Sequence, residues 1–288
     1  MGNQKIYVIG AGLMGSGIAQ VAAVTGHDVT MIDVKPEMID QAYRSIEKSL
    51  QRIVKKGDVK EEQAREIRQR IKGTLDITDA KDADAVIEAV DEKLDLKKSL
   101  FARLDGVCPS HTILMSNTSQ FSITDLASVT RRRDHVIGTH WFNPPPIMRL
   151  VEVVMGLDTS EETLQKTLDL CKRFGKETIV CRKDTKGFVT TRALWAFRME
   201  CFKILEEGIA TVEDIDKAMK LAFNHPMGPF ELMDFGHLDL SFQVVTSLHE
   251  TYGERFLPPQ ALINLVRSGY LGRRTGRGWY HYPDEKGH

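Results

Sequence analysis

The chain has 288 residues, enough for one large domain or two ordinary ones. Hydrophobic residues make up 42% and charged residues 27%, which is typical of a folded globular protein. A formal net charge of −1 excludes a strong bulk attraction to nucleic acid or to an anionic membrane. No apolar run reaches the roughly 18 residues that would suggest a membrane span.

The start of the chain and its cysteines favour a cytoplasmic location. "MGNQKIYVIGAG" passes directly into a strand pattern, without the pattern of a signal peptide. The four cysteines, Cys108, Cys171, Cys181 and Cys201, form no C-x-x-C pair. We therefore expect buried thiols in a reducing environment, with no disulfide framework and no metal site.

Short apolar strands alternate with helical stretches through the first part of the chain. The strand patterns are KIYVIG (5–10), DVTMID (28–33), DAVIEAV (84–90), TILMSN (112–117), HVIGTHW (135–141) and LVEVVMG (150–156). Continuous apolar strands that alternate with helices predict a sheet buried on both faces. The expected fold class is therefore α/β, with a Rossmann-like, doubly wound and mostly parallel sheet.

A long polar segment, residues 36–72, separates the second strand pattern from the third. Its apolar residues recur at helical spacing: Ile39, Tyr43, Ile46, Leu50 and Ile53. The segment is too long for a plain crossover, and we expect a helical hairpin that stands off the sheet.

The alternation ends in the last third of the chain. A predicted helix at about 160–174 leads to a strand, ETIVC, and from about Gly187 the pattern is helical. "TVED" (211–214) is typical of a helix start, where the Thr211 hydroxyl accepts from an early amide. We predict a Rossmann-like α/β domain at residues 1–184 and an all-α domain at 185–288.

The clearest motif is "VIGAGLMGSGIA", which places Gly10, Gly12 and Gly15 in G-x-G-x-x-G spacing between a strand and a helix. These glycines allow a tight turn, a close approach to a pyrophosphate, and close packing of the helix on the strand. Asp33 ends the second strand 18 residues beyond Gly15. A carboxylate there accepts from the adenosine ribose hydroxyls and repels a 2′-phosphate, which predicts NAD, although the nearby Lys35 favours NADP. The alternative is a glycine-rich turn beside a structural aspartate.

Polar side chains lie at the carboxyl ends of the later strands, where such sheets bind ligands. "SNTS" (116–119) closes one strand, and His140 and Asn143 in "HWFNP" close the next. Histidine suits a base that takes a hydroxyl proton, because its ordinary pKa lies near working pH. Glu152, within the apolar strand RLVEVVMG, is the expected partner of His140 because an unpaired buried carboxylate is costly.

Each of these residues also has a structural alternative. A lone histidine at a strand end is more often a structural residue than a catalytic one. Glu152 could face solvent on an edge strand, and "SNTS" could be only a turn and a helix N-cap.

The motifs resemble the short-chain members of the L-3-hydroxyacyl-CoA dehydrogenases, the 3-hydroxybutyryl-CoA dehydrogenases, over about residues 4–282. The matching stretches are GAGLMGSGIAQ, SNTSQFSIT, GTHWFNPPPIMRLVEVV, EDIDKAMKLAFNHPMGPFEL and GYLGRRTGRGWYHY. The resemblance implies a two-domain homodimer, joined through its C-terminal helices, that interconverts an (S)-3-hydroxyacyl-CoA and the 3-ketoacyl-CoA with NAD. It places the activity in fatty acid or butanoate metabolism.

The resemblance also implies site residues. It assigns His140, Glu152, Ser119 and Thr191 to catalysis. It assigns Gly10, Ala11, Gly12, Leu13, Met14, Gly15, Asp33, Glu92, Lys97, Ser119, Asn143 and Arg274 to the cofactor. It assigns Ser49 and Lys56, with Ser119, to the coenzyme A moiety of the substrate, although a lysine-rich helix face is otherwise typical of a solvated surface.

Two positions depart from the pattern of that family. The family usually reads P-G-F-V-x-N-R where this chain has "KGFVTTR", so Lys186 replaces proline and Thr191 replaces an active-site asparagine. A threonine retains a hydroxyl but lacks the amide, and Thr190 could contribute instead. Loss of a hydrogen bond to the reacting oxygen would cost ~1–3 kcal/mol, or one to two decades in rate.

Two other functions stay open at this stage. One is a related two-domain dehydrogenase that acts on a free hydroxy acid or a sugar acid. The other is a catalytically weak NAD-binding protein, which the change at Thr191 would permit.

Overall fold

The computed structural model describes residues 4–282, which divide after Phe188 into two compact units. The division falls a few residues beyond residue 184 because the intervening loop is held by the first unit. Asp184 accepts hydrogen bonds from the Ser122 hydroxyl at 2.6 Å and the Thr124 amide at 2.7 Å. The Phe188 ring is buried in the core of that unit.

The first unit is built on an eight-stranded sheet. Its strands are β1 (Ile6–Ile9), β2 (Val29–Ile32), β3 (Ile71–Thr74), β4 (Ala85–Glu88), β5 (Ile113–Ser116), β6 (Val136–Trp141), β7 (Leu150–Met155) and β8 (Glu177–Cys181). Their order across the sheet is β3-β2-β1-β4-β5-β6-β7-β8. All neighbours pair in parallel except β6 and β7, which are antiparallel. The sheet confirms the predicted fold class.

Helices cover both faces of this sheet. They are α1 (Leu13–Val24), α2 (Pro36–Lys56), α3 (Glu61–Gln69), α4 (Leu94–Val107), α5 (Ile123–Ala127) and α6 (Glu161–Arg173). The alternation along β1 explains the double burial, because Ile6 and Val8 belong to one buried cluster while Tyr7 and Ile9 belong to the other. Residues of β1 that point to either face of the sheet are therefore apolar, and the strand is continuously apolar along the chain.

The predicted helical hairpin is formed by α2 and α3. Helix α2 buries Ile39, Ala42, Ile46 and Leu50 along one face and ends at Gly57, whose φ of +82° is left-handed. The remaining faces of both helices are charged, so the hairpin is amphipathic.

The helical insertion, expected to reach about residue 72, ends with α3 at Gln69, and β3 begins at Ile71. Strand β3 is a four-residue edge strand containing Lys72 and Gly73, which lacks the apolar signal of the other strands. A side chain at Gly73 would collide with Ile39 of α2, so glycine there allows helix and strand to pack closely.

The second unit is helical in its described part. It contains α7 (Thr190–Glu206), α8 (Val212–Phe223), α9 (Pro229–Gly236), α10 (Leu238–Tyr252) and α11 (Gln260–Arg267). Thr211 caps α8 as predicted, its hydroxyl accepting from the Asp214 amide at 3.2 Å. Asp216 likewise accepts from the Phe230 and Glu231 amides in the first turn of α9.

Within residues 4–282, no helix is long and apolar enough to cross a membrane, and no group of three or more His, Cys, Asp or Glu side chains is placed to hold a metal ion. All four cysteines are buried and unpaired.

Candidate active site

The loop between β1 and α1 has the backbone geometry that its glycines predict. Gly10 has a φ of +97°, and a side chain at Gly15 would collide with the Gly10 carbonyl. Around Gly12 nothing lies within 4 Å of the position of a side chain, so its backbone faces open space. No side chain caps α1, which begins at Leu13. The loop is therefore an accessible anion site formed from backbone amides and the positive end of a helix dipole.

A cleft of about 390 Å³ opens beside this loop. It is lined by Gly10, Gly12, Asp33, Lys35, Val90 and Arg103, among other residues. The Asp33 carboxylate is held at its edge, with Oδ2 accepting from the Ala11 amide at 2.8 Å and Oδ1 from the Lys35 amide at 3.1 Å. A fixed carboxylate beside an open pocket fits the adenosine half of NAD.

We expect replacement of Asp33 by serine to weaken the preference for NADH over NADPH by about tenfold or more. The substitution removes a charged hydrogen-bond acceptor for the ribose and a charge that repels a 2′-phosphate, while Lys35 remains. The measurement is kcat/KM with each cofactor. Asp58→Ser, in the exposed turn between α2 and α3, is the matched control, and an equal effect of both variants would contradict the assignment of Asp33.

His140 and Glu152 are in direct contact. They lie opposite each other in the antiparallel pair of β6 and β7, and His140 Nδ1 is 2.7 Å from Glu152 Oε2. Glu152 is fully buried within the sheet, so it does not face solvent on an edge strand. If the carboxylate is ionised and the imidazole is neutral, Nδ1 must donate to Glu152, which leaves Nε2 as an acceptor.

The surroundings of His140 restrict its imidazole. The ring centroids of Phe142 and Phe188 lie 4.6 and 5.9 Å from that of His140. The side chain of His140 keeps 10% of its surface exposed, so the ring is largely but not completely buried. Two aromatic rings and a buried carboxylate fix the imidazole without closing it off.

The proline-rich loop after β6 is anchored at two places. Pro145 packs so closely on α1 that a side chain at Gly17 would contact its ring. Lys176 donates to the carbonyls of Pro145 at 2.6 Å and Met148 at 2.8 Å. Asn143, at the start of this loop, is exposed. The loop therefore holds Asn143 on the side of the sheet where the glycine loop lies.

Ser119 lies at the end of β5 in a network around Glu92. Glu92 Oε1 accepts from the Ser119 amide at 3.0 Å and from the Thr118 hydroxyl at 2.5 Å. Glu92 Oε2 lies 3.1 Å from Lys97 Nζ. These contacts bring together Ser119, Glu92 and Lys97, three of the predicted site residues.

Glu88 is a member of this network that the sequence analysis missed. It is fully buried at the end of β4, and it accepts from Lys97 Nζ at 2.6 Å and from the Ser116 hydroxyl at 2.6 Å. Lys97 is only 1% exposed, which makes this a buried ion pair. The available signal was a carboxylate in an otherwise apolar strand, the same signal that singled out Glu152.

The remaining predicted site residues lie on α2 of the first unit and in the second unit. Ser49 accepts from Gln20 Nε2 at 2.9 Å, and Lys56 is exposed in the last turn of α2. In the second unit, Thr191 lies in the first turn of α7, and Arg274 pairs with Asp239 at 2.8 Å. The roles of these residues stay predictions.

The glycine loop, the acidic end of β2 and the doubly wound sheet define a dinucleotide-binding protein of the dehydrogenase class. Family comparison gives the same class in finer detail. Residues 5–185 match the model of the 3-hydroxyacyl-CoA dehydrogenase NAD binding domain, and residues 187–282 match the model of the 3-hydroxyacyl-CoA dehydrogenase C-terminal domain.

The chain belongs to the 3-hydroxyacyl-CoA dehydrogenase family, and it is an oxidoreductase that uses NAD. It is 43% identical to a probable 3-hydroxybutyryl-CoA dehydrogenase of Bacillus subtilis, over 98% of both chains. It is 41% identical to the mitochondrial hydroxyacyl-coenzyme A dehydrogenase of Homo sapiens, over 97% of this chain and 91% of the human protein. The solved structure of (S)-3-hydroxybutyryl-CoA dehydrogenase from Ralstonia eutropha matches with a TM-score of 0.94 and 40% identity, over 98% of this chain and 100% of that one.

Proposed function

We propose that the protein oxidises short-chain (S)-3-hydroxyacyl-CoA thioesters, such as 3-hydroxybutyryl-CoA, to 3-ketoacyl-CoA, and catalyses the reverse reaction. The observation that carries this proposal is the 2.7 Å contact between His140 and the buried Glu152, on the unit that also holds the glycine loop. Relatives named 3-hydroxybutyryl-CoA dehydrogenase support the choice of substrate.

His140 is the proposed acid and base. With Nδ1 donating to Glu152, Nε2 takes the proton of the C3 hydroxyl as the carbonyl forms, and returns it in the reverse direction. The imidazolium formed in this step is stabilised by the carboxylate at its other nitrogen, as in hydrolytic triads. NAD, held by the glycine loop and Asp33, would supply the acceptor for the hydride of C3.

Ser119 and Thr191 are proposed to position the substrate oxygen. The Ser119 amide is held by Glu92 at 3.0 Å, which leaves its hydroxyl available to the substrate. Thr191 takes this role by resemblance, with a shorter side chain than the usual asparagine. Asn143, Glu92, Lys97 and Arg274 are proposed to serve the cofactor, and Ser49 and Lys56 the coenzyme A moiety.

The domain roles and the assembly are also proposals. Residues 1–184 would bind NAD, and residues 185–288 would complete the substrate site and join two copies. Large exposed apolar side chains in the second unit support a homodimer, including Ile209, Leu221 and Phe223, which are 68%, 76% and 66% exposed. Light scattering would test it against the monomer mass of 32.5 kDa. The buried unpaired cysteines support the cytoplasmic location.

Turnover of acetoacetyl-CoA and of free acetoacetate, each with NADH, tests this function. We expect reduction of the thioester and little or none of the free acid, because coenzyme A contributes much of the binding energy. Preference for a free hydroxy acid would favour the related class of dehydrogenases. Tight NADH binding without turnover of any ketoacyl-CoA would favour the weak NAD-binding protein.

A further inference from the structure

Helix α7 carries an arginine in the middle of an apolar stripe. Trp195, Met199 and Phe202 are buried in the core of the second unit, and Arg198 lies among them on the same side of the helix. Arg198 is only 7% exposed. Arginine is almost never buried to this degree without an anionic partner, because the desolvation of its charge is costly.

Arg198 has no such partner in the described part of the chain. Its Nε makes no hydrogen bond with any residue between 4 and 282, and burial lowers its pKa to about 10. The thiol of Cys201 lies nearby, but burial raises the Cys201 pKa to about 11, so this group is neutral at pH 7. The Trp195 ring centroid lies 5.1 Å from the guanidinium carbon, and an aromatic face does not neutralise the charge.

The two buried carboxylates in the described part of this unit, Asp216 and Asp234, are engaged elsewhere, and Asp234 accepts from the amides of Trp279 and Tyr280, each at 3.0 Å. Asp216 is buried, but it accepts from the amides of Phe230 and Glu231 at 2.8 and 2.9 Å and from the Tyr280 hydroxyl at 2.8 Å. Its two carboxylate oxygens already accept hydrogen bonds from the start of α9 and from Tyr280. The missing anion is therefore expected to come from a ligand.

The position of Arg198 on α7 indicates which ligand. Thr191 precedes it by seven residues, or two helical turns, so both side chains lie on one face of the helix. Their Cα atoms are separated by about 10.5 Å along the axis, and the arginine side chain leans back toward the N-terminal end. A ligand that contacts Thr191 with its reacting oxygen therefore meets Arg198 next along the same face.

We propose that Arg198 binds a carboxylate at the distal end of the acyl chain, so that the substrate class is an ω-carboxylated 3-hydroxyacyl-CoA. A planar guanidinium matches a carboxylate through two parallel hydrogen bonds, and in a buried setting such a pair discriminates strongly against a neutral chain end. This inference rests on the proposed function, and in particular on the role of Thr191.

The test compares two substrates with the same number of carbons in the acyl chain. With NADH in excess, kcat/KM is measured for 3-oxoadipyl-CoA, which ends in a carboxylate, and for 3-oxohexanoyl-CoA, which ends in a methyl group. For the unaltered protein we expect a ratio of at least about tenfold in favour of the carboxylated substrate. A ratio of one or less would overturn the inference.

Variants of Arg198 assign the preference to this side chain. Arg198→Met fits the apolar stripe and is expected to lower the ratio by about tenfold or more. Arg198→Lys retains the charge without the planar fork and is expected to give an intermediate ratio. Lys203→Met removes an exposed cation from the same helix and is the matched control, expected to retain the original ratio. Thermal melts confirm that each variant is folded.

Two outcomes would assign Arg198 a different role. If Arg198→Met lowers kcat/KM for both substrates equally, the side chain is structural. If this variant becomes a monomer and the ratio is unchanged, the missing anion belongs to a second copy of the chain. Either outcome overturns the inference. Failure of the unaltered protein to reduce any ketoacyl-CoA is a separate result, which would overturn the proposed function itself.

Discussion

Replacement of His140 by alanine is expected to lower kcat for acetoacetyl-CoA reduction by about 10²–10⁴-fold. The reason is loss of the group that supplies the proton to the forming hydroxyl. The measurement is steady-state turnover at saturating NADH and substrate, with circular dichroism to establish that the fold is retained. NADH binding, followed by fluorescence, is expected to persist because the glycine loop is intact.

Two further variants test whether His140 acts together with Glu152. His140→Ala combined with Glu152→Gln is expected to be hardly slower than His140→Ala alone, because residues that act as a unit are not additive. His111→Ala, at a histidine whose side chain is 60% exposed, is the control and is expected to retain full turnover. Full turnover in His140→Ala would eliminate the proposed mechanism.

Replacement of Lys97 by methionine is expected to lower the free energy of unfolding by about 3–5 kcal/mol. Lys97 and Glu88 are 1% and 0% exposed, and their charged atoms are 2.6 Å apart. Without the ammonium group, Glu88 remains as an uncompensated buried charge, a larger loss than that of the ion pair itself. Urea unfolding monitored by circular dichroism measures the effect.

Two further variants distinguish the loss of the Lys97–Glu88 ion pair from general damage to α4. Glu88→Gln added to Lys97→Met is expected to recover much of the stability, because the unpaired charge is then removed as well. Lys98→Met is the matched control. Lys98 is the next residue of α4 and lies 4.0 Å from Asp125, and its loss is expected to change stability by less than about 0.5 kcal/mol. A similar loss of stability in both lysine variants would contradict this account.

Much of the fold could be predicted because its signals are local. Each long apolar strand carries its own pattern, and the glycine spacing together with Asp33 identifies the first βαβ unit. The direction of a strand has no such signal. An apolar run such as 150–156 looks the same in either direction, and only the short connection 142–149 indicates that β7 runs opposite to β6.

The sequence predicted only some of the buried polar residues that the structure shows. The contact of His140 with Glu152 was predicted from the cost of an unpaired buried carboxylate, and the two side chains do meet. The buried pairing of Glu88 could not be predicted in the same way, because its partner Lys97 lies on a helix whose buried face cannot be identified from one lysine. Arg198 was missed because helical periodicity does not distinguish a buried arginine from an exposed one.

The reversed direction of β7 has a consequence for folding. Most neighbouring strands of this sheet are joined only after a helix has crossed its face, whereas β6 and β7 are joined by residues 142–149 alone. Closing so short a stretch of chain costs little conformational entropy, and contacts of low sequence separation form rapidly. The proposed acid-base pair is therefore expected to assemble as one hairpin early in folding, before the parallel strands on which cofactor binding depends have found their neighbours.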